Sequence, residues 1–178
     1  MDSINQQQPE DNVQHLAGEE ARAQIKKMVE ETDTCFFCTE IETGKPFSVR
    51  PMAVQKVDDE GNVWFLSSKD SNKDSEAKQD PYVQLLFQQS QHSGFLSLYG
   101  TAQFYYDKEK IKELWKPIAK VWFTEGEDDP RISVIKVKPV DGYYWDNKHG
   151  KAIAFAKMVA GMVTGQTLDD SVEGKLKV

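Results

Sequence analysis

The sequence lacks the features that mark nucleic-acid-binding and membrane-spanning proteins. Among its 178 residues, 22 lysines and arginines are outnumbered by 29 aspartates and glutamates, and the acidic residues are scattered along the chain. A nucleic-acid-binding protein would instead show a basic stripe that matches the phosphates of a strand. No apolar run approaches the ~20 residues of a membrane span, and the first residues, MDSINQQQPEDN, do not have the charged-then-apolar pattern of a signal peptide. We therefore expect a cytoplasmic protein with neither nucleic-acid nor membrane partners.

Cysteine is also scarce. Cys35 and Cys38 are the only two, and they form one C-x-x-C motif in the aromatic, β-prone stretch TCFFCTEI. Residues three apart on a strand point to opposite faces and lie ~10 Å apart, which is too far for a disulfide bond. The motif has neither a second C-x-x-C nor a nearby histidine to complete a zinc site. The sequence favours two buried or half-buried thiols and predicts no metal site, with redox or metal chemistry as the alternative.

Two further absences bear on the fold. The chain has no G-x-G-x-x-G motif and no regular alternation of strands with helices, which argues against a dinucleotide-binding Rossmann domain. Strand patterns dominate instead, at residues 34–41, 47–57, 62–68, 82–89, 94–106, 132–139 and 142–146. Short turns join most of them, and the turn DDEG indicates a β-hairpin. Six or seven such strands with helices at their edges predict a mainly β fold, an antiparallel barrel or sandwich.

Helical patterns flank these strands. Residues 18–32 predict an amphipathic helix with four apolar residues on one face, which are Ala21, Ile25, Met28 and Val29. A short helix is predicted within NKDSEAKQDP, and residues 107–123 predict a helical segment that is interrupted at Pro117. Residues 148–178 predict a helical tail with an apolar face.

The chain is predicted to have three parts. Residues 1–17 are rich in Gln, Asp and Asn and predict a disordered amino-terminal arm. Residues 18–147 are predicted to form the β domain, and residues 148–178 are predicted to form the helical tail.

One strand runs straight into a dense group of polar donors. In NVWFLSSKDSNK, residues 62–73, the donors are the side chains of Ser67, Ser68, Ser71, Asn72 and Lys73. A phosphate monoester is doubly charged near neutral pH and needs donors of this kind around it. A turn leading into a helix at Lys73 would add free backbone N–H groups and the positive helix end. A solvated loop capped by Ser71 explains the same residues, and composition alone slightly favours the loop.

Arg50 lies inside the apolar strand VRPMAV, where a guanidinium needs either a carboxylate or a ligand anion. Pro51 cannot donate to a β-ladder, so this part of the strand lies at an edge, at a bulge or beside a ligand. An ion pair with one of the many acidic residues is the simpler explanation for Arg50 alone. However, a hairpin about DDEG would bring Arg50 and the Ser67–Lys73 donors to the same end of the sheet. This shared end favours one anionic ligand.

Aromatic residues in the second half of the chain have two interpretations. Trp122 lies in WKPIAKVWF beside a loop rich in Gly and Asp, and Trp145 lies in YYWD. Both could simply belong to the core. They could also face a flat ligand, where offset stacking or edge contacts are favoured.

Taken in order, these segments resemble a known family. SVRPMAV, VWFLSSKDSNK, DPYVQLLF, GFLSLYGTAQF and LWKPIAKVWFTEGEDDPRISVIKVKPVDGYYWD resemble the general stress protein 26 branch of the pyridoxamine 5'-phosphate oxidase-like, FMN-binding split barrels. The resemblance covers roughly residues 18–147 and depends on the ordered combination. It implies a split-barrel homodimer with two flavin sites at the subunit interface, each built from both chains. The implied cofactor is FMN, with FAD as the alternative.

The resemblance also implies roles for individual residues. It assigns the FMN phosphate to Arg50, Ser67, Ser71, Asn72 and Lys73. It places Ser68 near the ribityl chain or the phosphate.

The isoalloxazine ring is assigned to a second set of residues. Pro51 and Met52 would follow the ring edge through their backbone, and Phe65 and Leu66 would shape the ring pocket. The segment centred on Trp122 would approach the ring from the partner chain. Trp145 is assigned to the same role, less securely.

The sequence departs from the vitamin-converting oxidases at one phosphate contact. Those enzymes have an arginine where this chain has Asn72, and their basic carboxy-terminal residues, which hold pyridoxamine phosphate, have no clear counterpart here. This departure argues against tight FMN binding and more strongly against pyridoxamine-phosphate oxidation. The resemblance implies a flavin-binding protein of the general stress type that acts as a flavin-dependent oxidoreductase, with unidentified catalytic residues and substrate. A non-enzymatic flavin carrier or sensor is the alternative, and a deazaflavin or haem is a less supported cofactor.

Overall fold

A computed structural model of the chain describes residues 12–71, 80–89, 94–149, 156–157, 159 and 170–178. The strands are β1 (Leu16–Ala17), β2 (Thr34–Thr39), β3 (Ser48–Val57), β4 (Val63–Ser68), β5 (Tyr82–Gln88), β6 (Phe95–Tyr105), β7 (Ile132–Asn147) and β8 (Ser171–Lys177). The helices are α1 (Gly18–Glu30) and α2 (Lys108–Leu114), and 3-10 turns follow at Pro117–Val121 and Gly126–Asp128. The helix expected within residues 72–81 falls largely outside the described residues.

Six strands close into an antiparallel barrel. Their order is β7-β4-β3-β2-β5-β6, and pairing of β6 with β7 completes the circle. All six lie within residues 18–147. The predicted mainly β fold is therefore confirmed, and of the two architectures that the strand pattern left open, the chain adopts the barrel.

The barrel interior is filled by the inward-facing half of each strand. In β5, Val83, Leu85 and Phe87 are buried, while the residues between them are half-buried or exposed. This alternation is expected of a strand with one buried face. Phe37 of β2 and Phe65 of β4 meet edge to face in the same core, with their ring centroids 5.5 Å apart.

Helix α1 covers one end of the barrel. Its apolar face joins the barrel core through Ala21, Ile25, Met28 and Val29, the four residues predicted to share a face. Lys26 forms an ion pair with Asp59 in the turn between β3 and β4, with 2.7 Å between Nζ and Oδ1. The helix therefore lies at the end of the barrel that carries this turn, which leaves the opposite end free for other elements.

A second apolar cluster lies on the outer face of the barrel. Side chains of α2 and the segment after it pack against outward-facing residues of β4 and β7, and the cluster contains Trp64, Ile111, Leu114, Ala119, Phe123, Ile132 and Val134. Helix α2 ends at Leu114 and Pro117 begins a 3-10 turn. The predicted interruption at Pro117 is confirmed, because proline has no N–H to continue the helical ladder.

The two predicted strands at 132–139 and 142–146 are one strand. Pro139 and Gly142 suggested a turn between them, but β7 continues through both residues. Tyr99 pairs with Asp141 and Gly100 pairs with Pro139, so Val140 is an extra residue on β7. A bulge accommodates the proline because it leaves a ladder position unpaired.

Both predicted terminal segments are also corrected. Residues 12–17 are not a disordered arm: β1 pairs in parallel with β8, and Val13 forms an isolated bridge with Glu173. Residues 171–177 are not helical but form β8, which pairs with the second half of β7. The tail has a strand pattern that the helical interpretation missed, with Val172, Gly174 and Leu176 buried alternately. Residues 156, 157 and 159 are helical, and residues 1–11 fall outside the described residues.

Acid is expected to weaken the contacts that hold Asp170, just before β8, to His149 and Lys157. Burial alone would raise the pKa of Asp170, but hydrogen bonds from Lys157 and His149 lower this pKa to about 2. An unfolded aspartate has a pKa of ~3.9. Asp170 therefore stabilises the fold above about pH 4, and this contribution is lost as the pH falls towards 2.

Urea unfolding at about pH 2.5, 4 and 7 measures this effect. Asp170→Asn should be less stable than the wild type at neutral pH and should lose less stability between pH 4 and 2.5. The exposed Asp128 supplies the control variant Asp128→Asn. If Asp170→Asn retains the full wild-type acid dependence, the assignment is wrong.

Candidate functional site

The barrel interior becomes polar at the end opposite α1. At this end, the inward-facing positions of four neighbouring strands are Thr39 of β2, Arg50 of β3, Ser67 of β4 and Ser133 of β7. Thr39, Ser67 and Ser133 are buried, and Arg50 is half-buried. Each side chain is in phase with the apolar core residues of its own strand. One end of an apolar barrel therefore has a polar, partly cationic lining.

Arg50 lies where the barrel opens between β3 and β4. The described pairing of these strands runs from the hairpin turn to the pair Val54–Phe65 and ends there. Arg50 is four residues beyond this pair on β3, and Ser68 is three residues beyond it on β4. The Arg50 guanidinium donates to Thr39 Oγ1 through Nη1 at 3.4 Å, a long hydrogen bond to a neutral group. The hairpin thus brings Arg50 and the end of β4 to the same opening, as the sequence predicted.

The residues after β4 form a turn lined with hydroxyl groups. Ser71 donates to the Ser68 carbonyl through both its backbone N–H, at 3.1 Å, and its Oγ, at 2.7 Å. The Oγ atoms of Ser67 and Ser71 are 3.4 Å apart. We name residues 67–71 the serine turn. Asn72 and Lys73, the other predicted phosphate contacts, lie outside the described residues.

An ion pair between Asp129 and Arg131 lies next to the serine turn. Asp129 is a buried carboxylate just before β7, and Arg131 binds it through Nε at 3.0 Å and Nη2 at 2.6 Å. The Arg131 guanidinium lowers the pKa of Asp129 to about 2. The backbone N–H of Lys69 donates to the Arg131 carbonyl at 2.8 Å, and Lys69 Nζ donates to the Pro130 carbonyl at 2.7 Å. Sequence reasoning assigned no role to Asp129, because DDPR in a polar loop gives no sign that the aspartate is buried.

The residues predicted to line a flat ring differ in how exposed their side chains are. Pro51 is exposed, while Met52 is buried in the core. The Phe65 side chain is completely buried against Phe37, so Phe65 could reach a ligand only through its backbone. Leu66 is half-buried and packs against the outer apolar cluster. Of these four residues, Pro51 and Leu66 keep accessible side chains.

The two predicted tryptophans occupy different parts of the chain. Trp122 follows the 3-10 turn Pro117–Val121 and is 61% exposed, as are its neighbours Ile118 (61%) and Val121 (68%). Trp145 lies near the other end of β7, where it pairs with Phe95 and contacts Tyr143 at 4.6 Å between ring centroids. The next residue, Asp146, accepts hydrogen bonds from Gln24 and Lys27 of α1, so Trp145 lies at the α1 end of the barrel. Within one chain, Trp145 is therefore not part of the polar end.

Large apolar side chains cover the outside of the barrel on β2, β3, β5 and β6. Phe36 is 53% exposed, and the strand register places it between Pro51 and Leu86. We name this surface the outer apolar face; its members are Phe36, Val49, Pro51, Leu86 and Phe95. Beside it, the Tyr82 and Tyr99 rings stack with their centroids 5.6 Å apart. Contiguous apolar surface of this kind marks interaction sites in proteins.

A cavity of about 390 Å³ lies between α1, β3 and Lys116. Its wall includes Val54, Gln55 and Lys56, where the register of β3 against β4 shifts. Within the described part of the chain, Gln55 Oε1 is buried and accepts no hydrogen bond, and Lys116 Nζ donates to the Val54 carbonyl at 3.3 Å. A volume of this size suits a small molecule. Sequence reasoning missed both Gln55 and Lys116, since neither departs from an ordinary strand or helix-end pattern.

The two cysteines have no role in these sites. Both are buried free thiols, and burial raises the pKa of each. The prediction of buried thiols is confirmed. Over residues 12–71, 80–89, 94–149 and 170–178, no group of His, Cys, Asp and Glu could hold a metal ion. In the same part of the chain, no helix combines the length and the apolar character that a membrane span requires.

The fold and the sequence define the family. The sequence model of the pyridoxamine 5'-phosphate oxidase-like family matches residues 20–169, and the chain belongs to this family. A curated relative, protein bli-3 of Neurospora crassa, is 27% identical over 126 residues. This match covers 66% of the chain and 60% of the fungal protein, so the chain spans less than two thirds of that relative.

Solved structures agree on the fold. A protein from Jannaschia sp. CCS1 that carries the name general stress protein 26 has a TM-score of 0.73 at 22% identity, and the match covers 88% of this chain and 97% of that protein. The general stress FMN/FAD binding protein from Xanthomonas citri has a TM-score of 0.62 at 24% identity, with 75% and 94% covered. The split barrel of the general stress proteins is therefore the fold of this chain.

Proposed function

We propose that the protein binds a flavin, FMN in the first place and FAD as the alternative. The observation that carries this proposal is the placement of Arg50 and the serine turn at the same open end of the barrel. A half-buried guanidinium and several hydroxyl groups suit the donor requirements of a phosphate monoester. Membership of the family and the flavin-binding name of the Xanthomonas citri relative support the same cofactor.

In this proposal, the phosphate is held by Arg50, Ser67, Ser71, Asn72 and Lys73, and Ser68 lies close to it or to the ribityl chain. The ring lies along the backbone of Pro51 and Met52, next to Leu66 and the backbone of Phe65. The flavin supplies electron or hydride transfer when it is bound. The chain itself grips the phosphate, orients the ring and shields one ring edge from water.

We further propose that two chains complete the site. The outer apolar face supports a homodimer, because it would bury exposed residues such as Phe36 and Leu86. Trp122 is exposed on its own chain and would reach the ring of the partner chain. Trp145 lies far along β7 from Arg50, so it too could contact only a flavin held by the other chain.

We propose an oxidoreductase that takes its substrate in the cavity beside β3, with a passive flavin carrier or sensor as the alternative. Its wall begins at Val54, two residues after Met52 on the strand proposed to follow the ring edge. A substrate in this cavity would lie against the same strand, with Gln55 Oε1 to accept a hydrogen bond and Lys116 to meet a negative charge. The free cysteines suit the reducing cytoplasm, where we propose that the protein acts.

The visible spectrum of the purified protein, followed by titration of the apoprotein with FMN, FAD and riboflavin, tests flavin binding. We expect a flavin spectrum or saturable binding, with FMN favoured over riboflavin. A colourless protein that does not respond to micromolar flavin would end the proposal. Stopped-flow reduction by NADH or NADPH then separates an oxidoreductase from a carrier: a bound flavin that neither coenzyme reduces would support the carrier.

A further inference from the structure

We propose that Asp129 is a positioning residue that holds the serine turn in shape for the flavin phosphate. This inference rests on the proposed function, because it assigns a role within the same site. Asp129 acts through Arg131 and Lys69 and has no assigned contact with the flavin.

The first step of the argument is the burial of Asp129. Its side chain is 0% exposed, although it carries a full charge at neutral pH. A buried carboxylate is costly unless several donors satisfy it. Arg131 provides its backbone N–H at 3.0 Å to Oδ1 in addition to the two guanidinium bonds. These three donors fold residues 129–131 around one carboxylate and fix the directions of the Pro130 and Arg131 carbonyl groups.

The second step is that both carbonyl groups accept hydrogen bonds from Lys69 of the serine turn. The Pro130 carbonyl accepts from the ammonium of Lys69, and the Arg131 carbonyl accepts from its backbone N–H. Both ends of Lys69 are therefore attached to the segment that Asp129 organises. Lys69 is the residue in the middle of the serine turn, between Ser68 and Ser71. The position of the turn thus depends on the Asp129–Arg131 pair.

The third step concerns charge. A carboxylate near a phosphate would repel it if it were alone. Arg131 neutralises Asp129 at 2.6 Å, so the pair holds the backbone without adding a net negative charge at the site. A turn that is already held in one conformation loses less entropy when it binds an anion. The pair should therefore strengthen contacts with the phosphate and leave contacts with the ring unchanged.

The test compares Asp129→Asn with a matched variant. Asp170→Asn removes another fully buried carboxylate whose pKa is also about 2, but at the start of β8 rather than behind the serine turn. Titration of each apoprotein with FMN and with riboflavin is the measurement. We expect Asp129→Asn to weaken FMN about tenfold while riboflavin keeps its affinity. Asp170→Asn should leave both affinities at the wild-type value.

Phosphorus NMR of bound FMN gives a readout that general loss of stability would not change. The phosphate resonance should move towards that of free FMN in Asp129→Asn and stay in place in Asp170→Asn. If Asp129→Asn does not fold, Arg131→Lys keeps the charge, loses the two-bond fork and should give a smaller loss in the same direction.

The outcomes separate the two proposals. If the wild type binds no flavin, the proposed function fails. If the wild type binds FMN and the folded variants bind it as tightly with an unmoved phosphate resonance, the role of Asp129 is refuted. Equal losses for FMN and riboflavin also refute it, because they would show a general structural effect.

Discussion

Replacement of Arg50 by alanine is expected to weaken FMN binding by at least ~1.5–3 kcal/mol, while riboflavin binding stays almost unchanged. The guanidinium lies at the open end of the barrel beside the serine turn, and its described hydrogen bond to Thr39 is long. A charge-assisted bond to a phosphate would be far stronger than this contact. Riboflavin has no phosphate, so its affinity should not change.

Lys73→Ala should also reduce FMN affinity by ~1.5–3 kcal/mol, because the lysine is proposed to contact the same phosphate.

Flavin fluorescence quenching or calorimetry measures both affinities. Arg22→Ala is the control, because Arg22 is a half-buried arginine on α1, at the other end of the barrel. If FMN and riboflavin lose equal affinity in Arg50→Ala, the guanidinium supports the fold or the ring and not the phosphate.

Replacement of Phe36 by glutamate is expected to convert the proposed homodimer into monomers. Phe36 is 53% exposed in the middle of the outer apolar face, with Pro51 and Leu86 as cross-strand neighbours. A dimer formed through this face would bury the new carboxylate with no described cation beside it. The change should cost about 3 kcal/mol of dimer stability or more, on the order of 100-fold in the dissociation constant.

Light scattering at micromolar concentration measures the mass, and flavin titration of the same sample measures the site. Val13→Glu is the control, since Val13 is an exposed apolar residue in the amino-terminal segment and not on the outer apolar face. If Phe36→Glu remains a dimer, the two chains meet elsewhere. If it becomes a monomer and still binds FMN with wild-type affinity, the site does not need a second chain.

Local patterns in the sequence were sufficient to predict most of the barrel. Alternation of apolar residues in YVQLLFQ and the spacing of Ala21, Ile25 and Met28 report burial directly, because period two and period 3.6 belong to different elements. The same reasoning placed Arg50 and the serine turn at one end, since a hairpin fixes which strand ends are neighbours. These features depend on residues close together in the chain.

The features that the sequence did not reveal depend on distant residues. Pairing of β1 and β8 joins residues 16–17 to residues 176–177, at opposite ends of the chain, and β1 is too short to be recognised alone. Pro139 and Gly142 are usual turn residues, yet pairing with β6 carries β7 through both. The burial of Asp129 depends on how the loop folds over the end of β4. Phe65 was assigned to a ring pocket, but its side chain is in the core because β4 presents that face to the barrel interior.

The length of β7 has a consequence for the integrity of the molecule. One side of this strand is shared by two partners in succession, β4 beside residues 132–137 and β8 beside residues 141–147. The carboxy-terminal strand β8 therefore pairs with backbone donors and acceptors of β7 that would otherwise form an open sheet edge next to Tyr143 and Trp145. Bare edges of this kind recruit strands from other molecules. We therefore expect β8 to protect the barrel against strand-mediated polymerisation as well as to extend its sheet.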